Sequence, residues 1–221
     1  MKNFAKISAA AAAFALAGAA NADLAFSFAD PGLGIRPVTN SGGVLMYNMA
    51  VPISFIVDGS TEPAPFQQTF TNAVLELRLS LGTTTTAGGI TTASVSGFFQ
   101  ITTAPLGPVI LRGDAQGGAF VRVGGTNSIL FSDQTGFSYT FGPALQALLA
   151  PGRVPASPQE AVFTLTNIVV AGGLPLIDPV SKNLNDFSAN SSFTGNTAVI
   201  PTPGSMALAG LAGLLVARRR R

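Results

Sequence analysis

The sequence predicts a mainly β protein, built as a single antiparallel β-sandwich or jelly-roll-like domain. Apolar and polar residues alternate with period two in several segments, and Thr, Val, Phe, Ser and Gly are abundant. Gly-rich turns such as Gly42-Gly43, Gly117-Gly118 and Gly124-Gly125 separate these segments. No helix-length spacers alternate with the strand patterns, which favours an antiparallel over a parallel sheet.

The clearest strand segments each place their apolar side chains on one face. In chain order these sets are Leu24, Phe26 and Phe28; Val51, Ile53, Phe55 and Val57; Leu75, Leu77, Leu79 and Leu81; Ala93, Val95, Phe99 and Ile101; and Phe137, Tyr139 and Phe141. Gly97 interrupts the fourth set and predicts a bulge or a close backbone approach.

Further strands are predicted where the pattern is shorter or two-sided. Residues 161–170 are apolar on both faces for much of their length, which is typical of a central strand. Shorter strands are expected at 109–112, 119–123 and 128–131, and a last strand or hairpin at 187–199.

One helix is expected between these strands, at 143–150. Pro143 suits its first turn and Pro151 ends it. The Thr- and Gly-rich residues 83–89 and the Pro-containing residues 151–158 are predicted to be loops.

The composition excludes several classes of function. Residues 23–200 carry six basic and ten acidic residues, for a net charge of −4, and the basic residues are scattered singly. Nucleic-acid binding, which needs a basic patch, is therefore not expected. The chain has no Cys and no His, which removes most metal sites, Ser–His and Cys–His nucleophile systems and thiol redox chemistry. We expect a protein without a cofactor or metal that is not an enzyme.

Carboxylates are the main residues left for catalysis. A glycoside hydrolase would need two of them flanking one bond, and the candidates are Glu62, Glu76, Asp114, Asp133 and Glu160. A carboxylate-based hydrolase is therefore a minor alternative. Calcium at residues 178–186, which contain two Asp and two Asn, is another, although the spacing of an EF-hand loop is missing.

Residues 1–22 have the three parts of a secretory signal peptide. Lys2 and Lys6 form the basic part, residues 7–19 are apolar and rich in alanine, and Ala20 and Ala22 frame an A-x-A cleavage site. The mature chain is expected to begin at Asp23, after export through the Sec translocon and cleavage by signal peptidase. Residues 23–198 then form the exported domain.

The segment 199–221 has the layout of a membrane-addressed terminus. A turn at Pro201, Thr202 and Pro203 is followed by Gly204 and Ser205, an apolar stretch at 205–217, and four arginines, Arg218, Arg219, Arg220 and Arg221. As a helix the apolar stretch would span about 20 Å at a rise of 1.5 Å per residue. The arginines would stay on the cytoplasmic side by the positive-inside rule. Proline fixes φ and lacks an N–H, so the turn cannot become an N-terminal extension of the helix that follows it. The turn should therefore be extended and accessible to a protease.

These features resemble the PEP-CTERM sorting signal of exported bacterial proteins, in a variant where Thr202 replaces the usual Glu. The resemblance covers about a tenth of the chain and implies recognition and cleavage by an exosortase-type membrane protease. It also implies localisation at the cell surface or in the extracellular matrix, with transient membrane anchoring and extracellular polysaccharide as a partner. A plain, unprocessed C-terminal anchor is the alternative.

The sequence therefore predicts an exported, surface-sorted structural or matrix-associated protein. The alternative function is a glycan- or polymer-binding module that uses one face of the β domain. The scarcity of aromatic residues with polar tips, with no Trp and two Tyr, weakens this alternative.

Overall fold

A computed structural model describes residues 22–30 and 34–202, and these residues form a mainly antiparallel β structure. The strands are β1 (Ala22–Ala29), β2 (Val38–Ser41), β3 (Val44–Tyr47), β4 (Ile53–Gly59), β5 (Phe66–Leu81), β6 (Thr85–Ala87), β7 (Ile90–Thr102), β8 (Val109–Ala115), β9 (Ala119–Val123), β10 (Thr126–Ser132), β11 (Phe137–Phe141), β12 (Arg153–Val170) and β13 (Phe187–Pro201). A four-residue helix, α1 (Pro143–Gln146), follows β11, and 3-10 turns lie at Asp133–Thr135 and Ala171–Gly173.

The strands join in one sheet whose pairing path closes on itself. Hydrogen-bonded neighbours follow the order β1-β4-β5-β3-β2-β13-β12-β10-β9-β7-β8-β11, and β6 pairs with β7. Additional pairings join β1 to β13 and β5 to β7. The long strand β13 makes this closure possible, because residues 187–189 pair with β2 while residues 192–199 pair with β1. The sheet therefore wraps around its own apolar face.

Aromatic rings fill the space inside the wrapped sheet. The Phe99 ring of β7 lies 5.2 Å from the ring of Phe163 on β12 and 5.2 Å from that of Phe193 on β13. Phe137 and Tyr139 of β11 lie at 6.2 Å from the same ring. Because β7 is not hydrogen-bonded to β12 or β13, these contacts join distant parts of the sheet. Each such edge or offset ring pair adds roughly 0.5–1.5 kcal/mol beyond the burial of its area.

The predicted apolar stripes are confirmed as the core. Nearly all of their side chains are buried, and only Leu81 at the end of β5 is partly exposed. The central position predicted for residues 161–170 is also confirmed, since β12 lies between β13 and β10. The strands predicted at 109–112, 119–123, 128–131 and 187–199 correspond to β8, β9, β10 and β13.

Three local predictions need correction. The expected helix 143–150 is regular only over Pro143–Gln146. The loop expected at 151–158 is largely the start of β12, because Val154 and Pro155 lie opposite residues of β13 and a register shift after Ala156 accommodates the irregular backbone. Part of the loop expected at 83–89 is β6, which forms a hairpin with β7. In the last two cases a neighbouring strand supplies pairing that local sequence does not reveal.

The hairpin of β2 and β3 was not among the predicted strands. Each of its strands has four residues, too few for a clear alternation. Its turn was recognised, and Gly42 and Gly43 both have positive φ values, 57° and 80°, as the commonest two-residue hairpin turn requires.

Gly97 confirms the predicted close approach of two backbones. Its φ is 133°, and a Cβ added there would overlap the carbonyl oxygen of Arg78 on the paired strand β5. Neither the φ value nor the space suits a residue with a side chain.

We predict that Gly97→Ala destabilises the fold by about 2–4 kcal/mol, since it combines backbone strain with a clash against main chain. Gly125→Ala is the matched control, because Gly125 has ordinary φ and open space around its Cβ position. Urea unfolding would show the difference. Equal stability of the two variants would contradict the account of Gly97.

A second prediction concerns alkaline pH. Burial raises the pKa of the Tyr139 phenol well above 10.0, and the charge of Glu160 raises it further. Because the folded state disfavours the ionised phenolate, the contribution of Tyr139 to the free energy of unfolding is complete below the unfolded-state pKa of about 10. Above that pH the free energy of unfolding falls by about 1.4 kcal/mol per pH unit.

Tyr139→Phe should reduce this alkaline loss, measured by urea unfolding between about pH 8 and pH 11.5. At neutral pH it should cost about 1 kcal/mol, because the hydroxyl donates a hydrogen bond of 2.7 Å to the carbonyl of Glu160. Some alkaline loss should remain, since burial also raises the pKa of Tyr47. An unchanged pH slope would contradict the role of Tyr139.

Candidate functional site

The two predicted processing positions meet at one end of the domain. Ala22 lies opposite Val199, and Asp23 lies opposite Ala198, in the antiparallel pair of β1 and β13. On the other edge of β13, Pro201 lies opposite Arg153, the first residue of β12. The backbone N–H of Thr202 donates to the carbonyl of Gly152 at 2.6 Å. We call this end of β1, β12 and β13 the terminal junction.

Pro201 has the extended backbone that the sequence predicts for the motif, but Pro201 and Thr202 are partly covered and bonded to the segment around the start of β12. The remaining predicted signal residues, Ala20, Pro203, Gly204, Ser205 and 206–221, lie outside the described residues. Within residues 22–30 and 34–202, no helix is long and apolar enough to cross a membrane.

Thr61, in the loop between β4 and β5, holds the start of β1 at the terminal junction. The N–H of Asp23 donates to Oγ1 of Thr61 at 2.8 Å, and the Thr61 hydroxyl contacts the Asp23 carbonyl at 2.8 Å. Cleavage before Asp23 would leave this nitrogen as the terminal ammonium, which can still donate to Thr61. The predicted cleavage would, however, remove the buried Ala22 from β1.

The residue after Thr61 forms a buried ion pair with the start of β12. Oε2 of Glu62 lies 3.5 Å from Nε of Arg153, and the two side chains are 3% and 6% exposed. Removing two charges from water is costly, so losing either partner would strongly destabilise the fold by leaving the other charge buried and unpaired. The pair therefore ties the β4–β5 loop to the strand beside Pro201. Glu62 was predicted only as a candidate catalytic carboxylate, and nothing in the sequence pairs it with Arg153.

The other candidate carboxylates are placed separately. Glu76 lies 3.4 Å from Arg78 on the same strand, and Asp114 forms a bidentate pair with Arg112 at 2.7–3.1 Å. Asp133 accepts a hydrogen bond from the hydroxyl of Ser157. These three carboxylates thus have partners at the surface of the sheet.

Glu160, the fifth candidate, lines a shallow groove of about 400 Å³ on the outer face of the sheet. Asp58 lines the same groove. Asp58, Ala25, Asn196 and Glu160 lie opposite one another on β4, β1, β13 and β12. Three inter-strand steps place the Cα atoms of the two acids about 14 Å apart along the sheet. Glycoside hydrolases hold their carboxyl groups about 5–9.5 Å apart, so the register does not favour a catalytic pair here.

A second groove, of about 450 Å³, lies at the other end of β12. The register of β12 and β13 shifts between Thr166 and Val169, and Asn167 within this bulge has a φ of 51°. Nε of Arg36 donates to the Asn167 carbonyl at 2.9 Å and holds the bulge in place. We call this the bulge groove. Bulges commonly redirect side chains near functional sites.

The bulge groove is lined mainly by hydroxyl, amide and aliphatic groups. Its lining residues are Arg122, Gly125, Thr126, Asn127, Thr164, Leu165, Thr166, Asn167, Ile168, Val170 and Leu176. Sequence reasoning missed this groove, because Thr and Asn are also ordinary turn and strand residues. The only local signal was the polar Thr126–Asn127 pair directly after the Gly124–Gly125 turn.

The two aspartates considered for calcium each bind the backbone of a turn. Oδ1 of Asp178 accepts from the N–H groups of Val180 and Ser181, both at 2.7 Å, and these bonds lower the pKa of Asp178. Oδ1 of Asp186 accepts from the N–H of Gly42 at 2.9 Å. Among the residues described, no three acidic side chains are grouped as metal ligands.

Comparison with known proteins adds no relative to this picture. No protein-family model matches the chain. No curated protein matches it, and no solved structure does. The functional assignment therefore rests on the residues and geometry described above.

We predict that Arg153→Met destabilises the domain by about 3–5 kcal/mol, because it leaves the Glu62 carboxylate buried without its partner. The double variant Glu62→Gln/Arg153→Met should be less destabilised than the sum of the single variants, as a cycle of urea-unfolding measurements would show.

Glu76→Gln and Arg78→Met are the matched controls, since that pair is exposed and should contribute less than about 1 kcal/mol. If Arg153→Met cost no more than Arg78→Met, the buried pair would not stabilise the terminal junction.

Proposed function

We propose that this protein is an exported, surface-sorted structural or matrix-associated protein. In this proposal the Sec translocon and signal peptidase process its N-terminal segment, and an exosortase-type membrane protease processes its C-terminal motif. The observation that carries the proposal is the terminal junction, where β1 begins at Ala22 and β13 ends at Pro201 on adjacent strands. The two predicted signals thus flank the folded domain and leave it at the same end.

This placement suits a domain whose two termini are processed at the membrane one after the other. With both termini at one end, the rest of the sheet can fold away from the membrane while either terminus is still attached. The last described residues of the motif lie where β13 ends, directly before the predicted cut near Pro203. The mainly apolar interior and the absence of cysteine fit a domain whose stability comes chiefly from apolar packing.

The finer architecture belongs to the same proposal. The ring contacts from Phe99 across to Phe163 and Phe193 support an arrangement of two facing layers, as in a β-sandwich or jelly roll. We assign this domain no catalytic role, because four of the five candidate carboxylates have partners of their own.

A glycan- or polymer-binding function is the second candidate. It is favoured by the two grooves, since amide side chains line both of them. Such binding is compatible with surface sorting, since a matrix protein must contact the matrix.

The sorting proposal is tested by the intact mass of the protein recovered from the envelope and medium of its native host. The wild-type chain should lack its first 22 residues and carry a C-terminal cut near Pro203, as the A-x-A site and the Pro-Thr-Pro motif predict. Pro201→Ala/Pro203→Ala should leave an unprocessed, membrane-held form, because the variant lacks the two prolines of the motif that the protease is proposed to recognise.

Pro175→Ala/Pro179→Ala, in the loop before β13, is the control and should be processed like the wild type. Normal processing of the Pro201/Pro203 variant would defeat the proposed recognition of this motif. A wild-type protein that kept all four arginines would identify a plain membrane anchor instead.

A further inference from the structure

We propose that the bulge groove binds an acidic saccharide, with Arg122 contacting its carboxylate and the Asn127 and Asn167 side chains contacting its hydroxyl groups. This inference goes beyond the sorting proposal and does not depend on it, because it concerns a different end of β12 and a different set of residues.

The first support is a buried polar group without a partner. Asn127 lines the groove and is 6% exposed. Its amide nitrogen donates to the carbonyl of Gly125 at 3.2 Å, whereas its Oδ1 accepts no hydrogen bond from any described residue. A buried acceptor without a donor costs roughly 1–3 kcal/mol. A sugar hydroxyl bound in the groove would supply the missing donor after a small side-chain adjustment.

The second support is the hydrogen-bonding chemistry of the lining. Asn127 and Asn167 both line the groove and carry side-chain amides. Amide groups can both donate and accept, which suits a ligand carrying several hydroxyls. Ile168 and Val170 add an aliphatic surface for the C–H face of a sugar ring, in a groove without an aromatic platform.

The third support is the charge of the groove. Arg122 forms no ion pair with any residue in the described ranges, and its one side-chain hydrogen bond is a long contact of 3.4 Å from Nε to the Gly124 carbonyl. No carboxylate lines the groove, although residues 23–200 carry a net charge of −4. Arg36 adds a second positive charge behind the bulge. An arginine available to a carboxylate favours an acidic over a neutral sugar.

The groove is also preorganised. The positive φ of Asn167 and the hydrogen bond from Arg36 fix the bulge, and the β9–β10 turn fixes Gly125 and Asn127 on the opposite wall. A site built on strands loses little conformational entropy when a ligand binds.

The test is calorimetric titration of the purified full-length protein with α-1,4-linked trigalacturonate, and with neutral galactotriose as the comparison. Trigalacturonate should bind more tightly, by about tenfold, and its affinity should fall as salt is raised. Arg122→Gln should remove the preference for the acidic sugar. Asn127→Ala and Asn167→Gly should each weaken binding of trigalacturonate several-fold, and glycine keeps the positive φ of position 167.

Arg78→Gln and Thr39→Ala are the matched controls, since both residues are exposed on strands outside the groove. Asn167 is exposed as well, so Asn167→Gly tests the site even if Asn127→Ala unfolds the protein. The proposal is overturned if trigalacturonate does not bind, if it binds no better than galactotriose, or if the groove variants bind as tightly as the controls. None of these outcomes bears on C-terminal processing.

Discussion

The pairing of β13 along both of its edges is the constraint on which the rest of the structure depends. One edge is occupied by β12 from Phe187 to Pro201, and the other is shared between β2 and β1. Without this division β1 and β2 could not both pair with β13, and the part of the sheet from β1 to β2 would not close over its apolar face. The same strand carries Phe193 into the aromatic core and brings Pro201 to the terminal junction, so that folding and the position of the predicted signal are coupled.

Local rules account for much of the fold. Alternation at Leu75–Leu81 and at Phe137–Phe141 was sufficient to place those strands and their buried faces, because side chains on a strand alternate strictly. Gly97 and the Gly42–Gly43 turn were recognisable because their backbone conformations are difficult for other residues. The pairing of Val154 and Pro155 with β13 could not be predicted, since it depends on a partner more than forty residues away.

The candidate sites likewise separate into features that neighbouring residues in the sequence reveal and features that depend on residues distant in the chain. The signals predicted at the termini are contiguous in the sequence, and the structure adds that the described parts of both lie on neighbouring strands. The Glu62–Arg153 pair and the bulge groove join residues far apart in the chain. A carboxylate that looks catalytic in a sequence can thus be a structural anchor, and unremarkable Thr and Asn residues can line a binding surface.

The opposite positions of the terminal junction and the bulge groove on β12 have a mechanical consequence. A molecule held at Pro201 and pulled through a ligand at Asn167 would carry the load along the axes of β12 and β13. The hydrogen bonds between these strands lie across that direction, so they would be sheared together instead of opening one after another as in a zipper. If both proposed functions hold, this orientation would transmit tension between a membrane and a polymer through the most extensively paired strands of the domain.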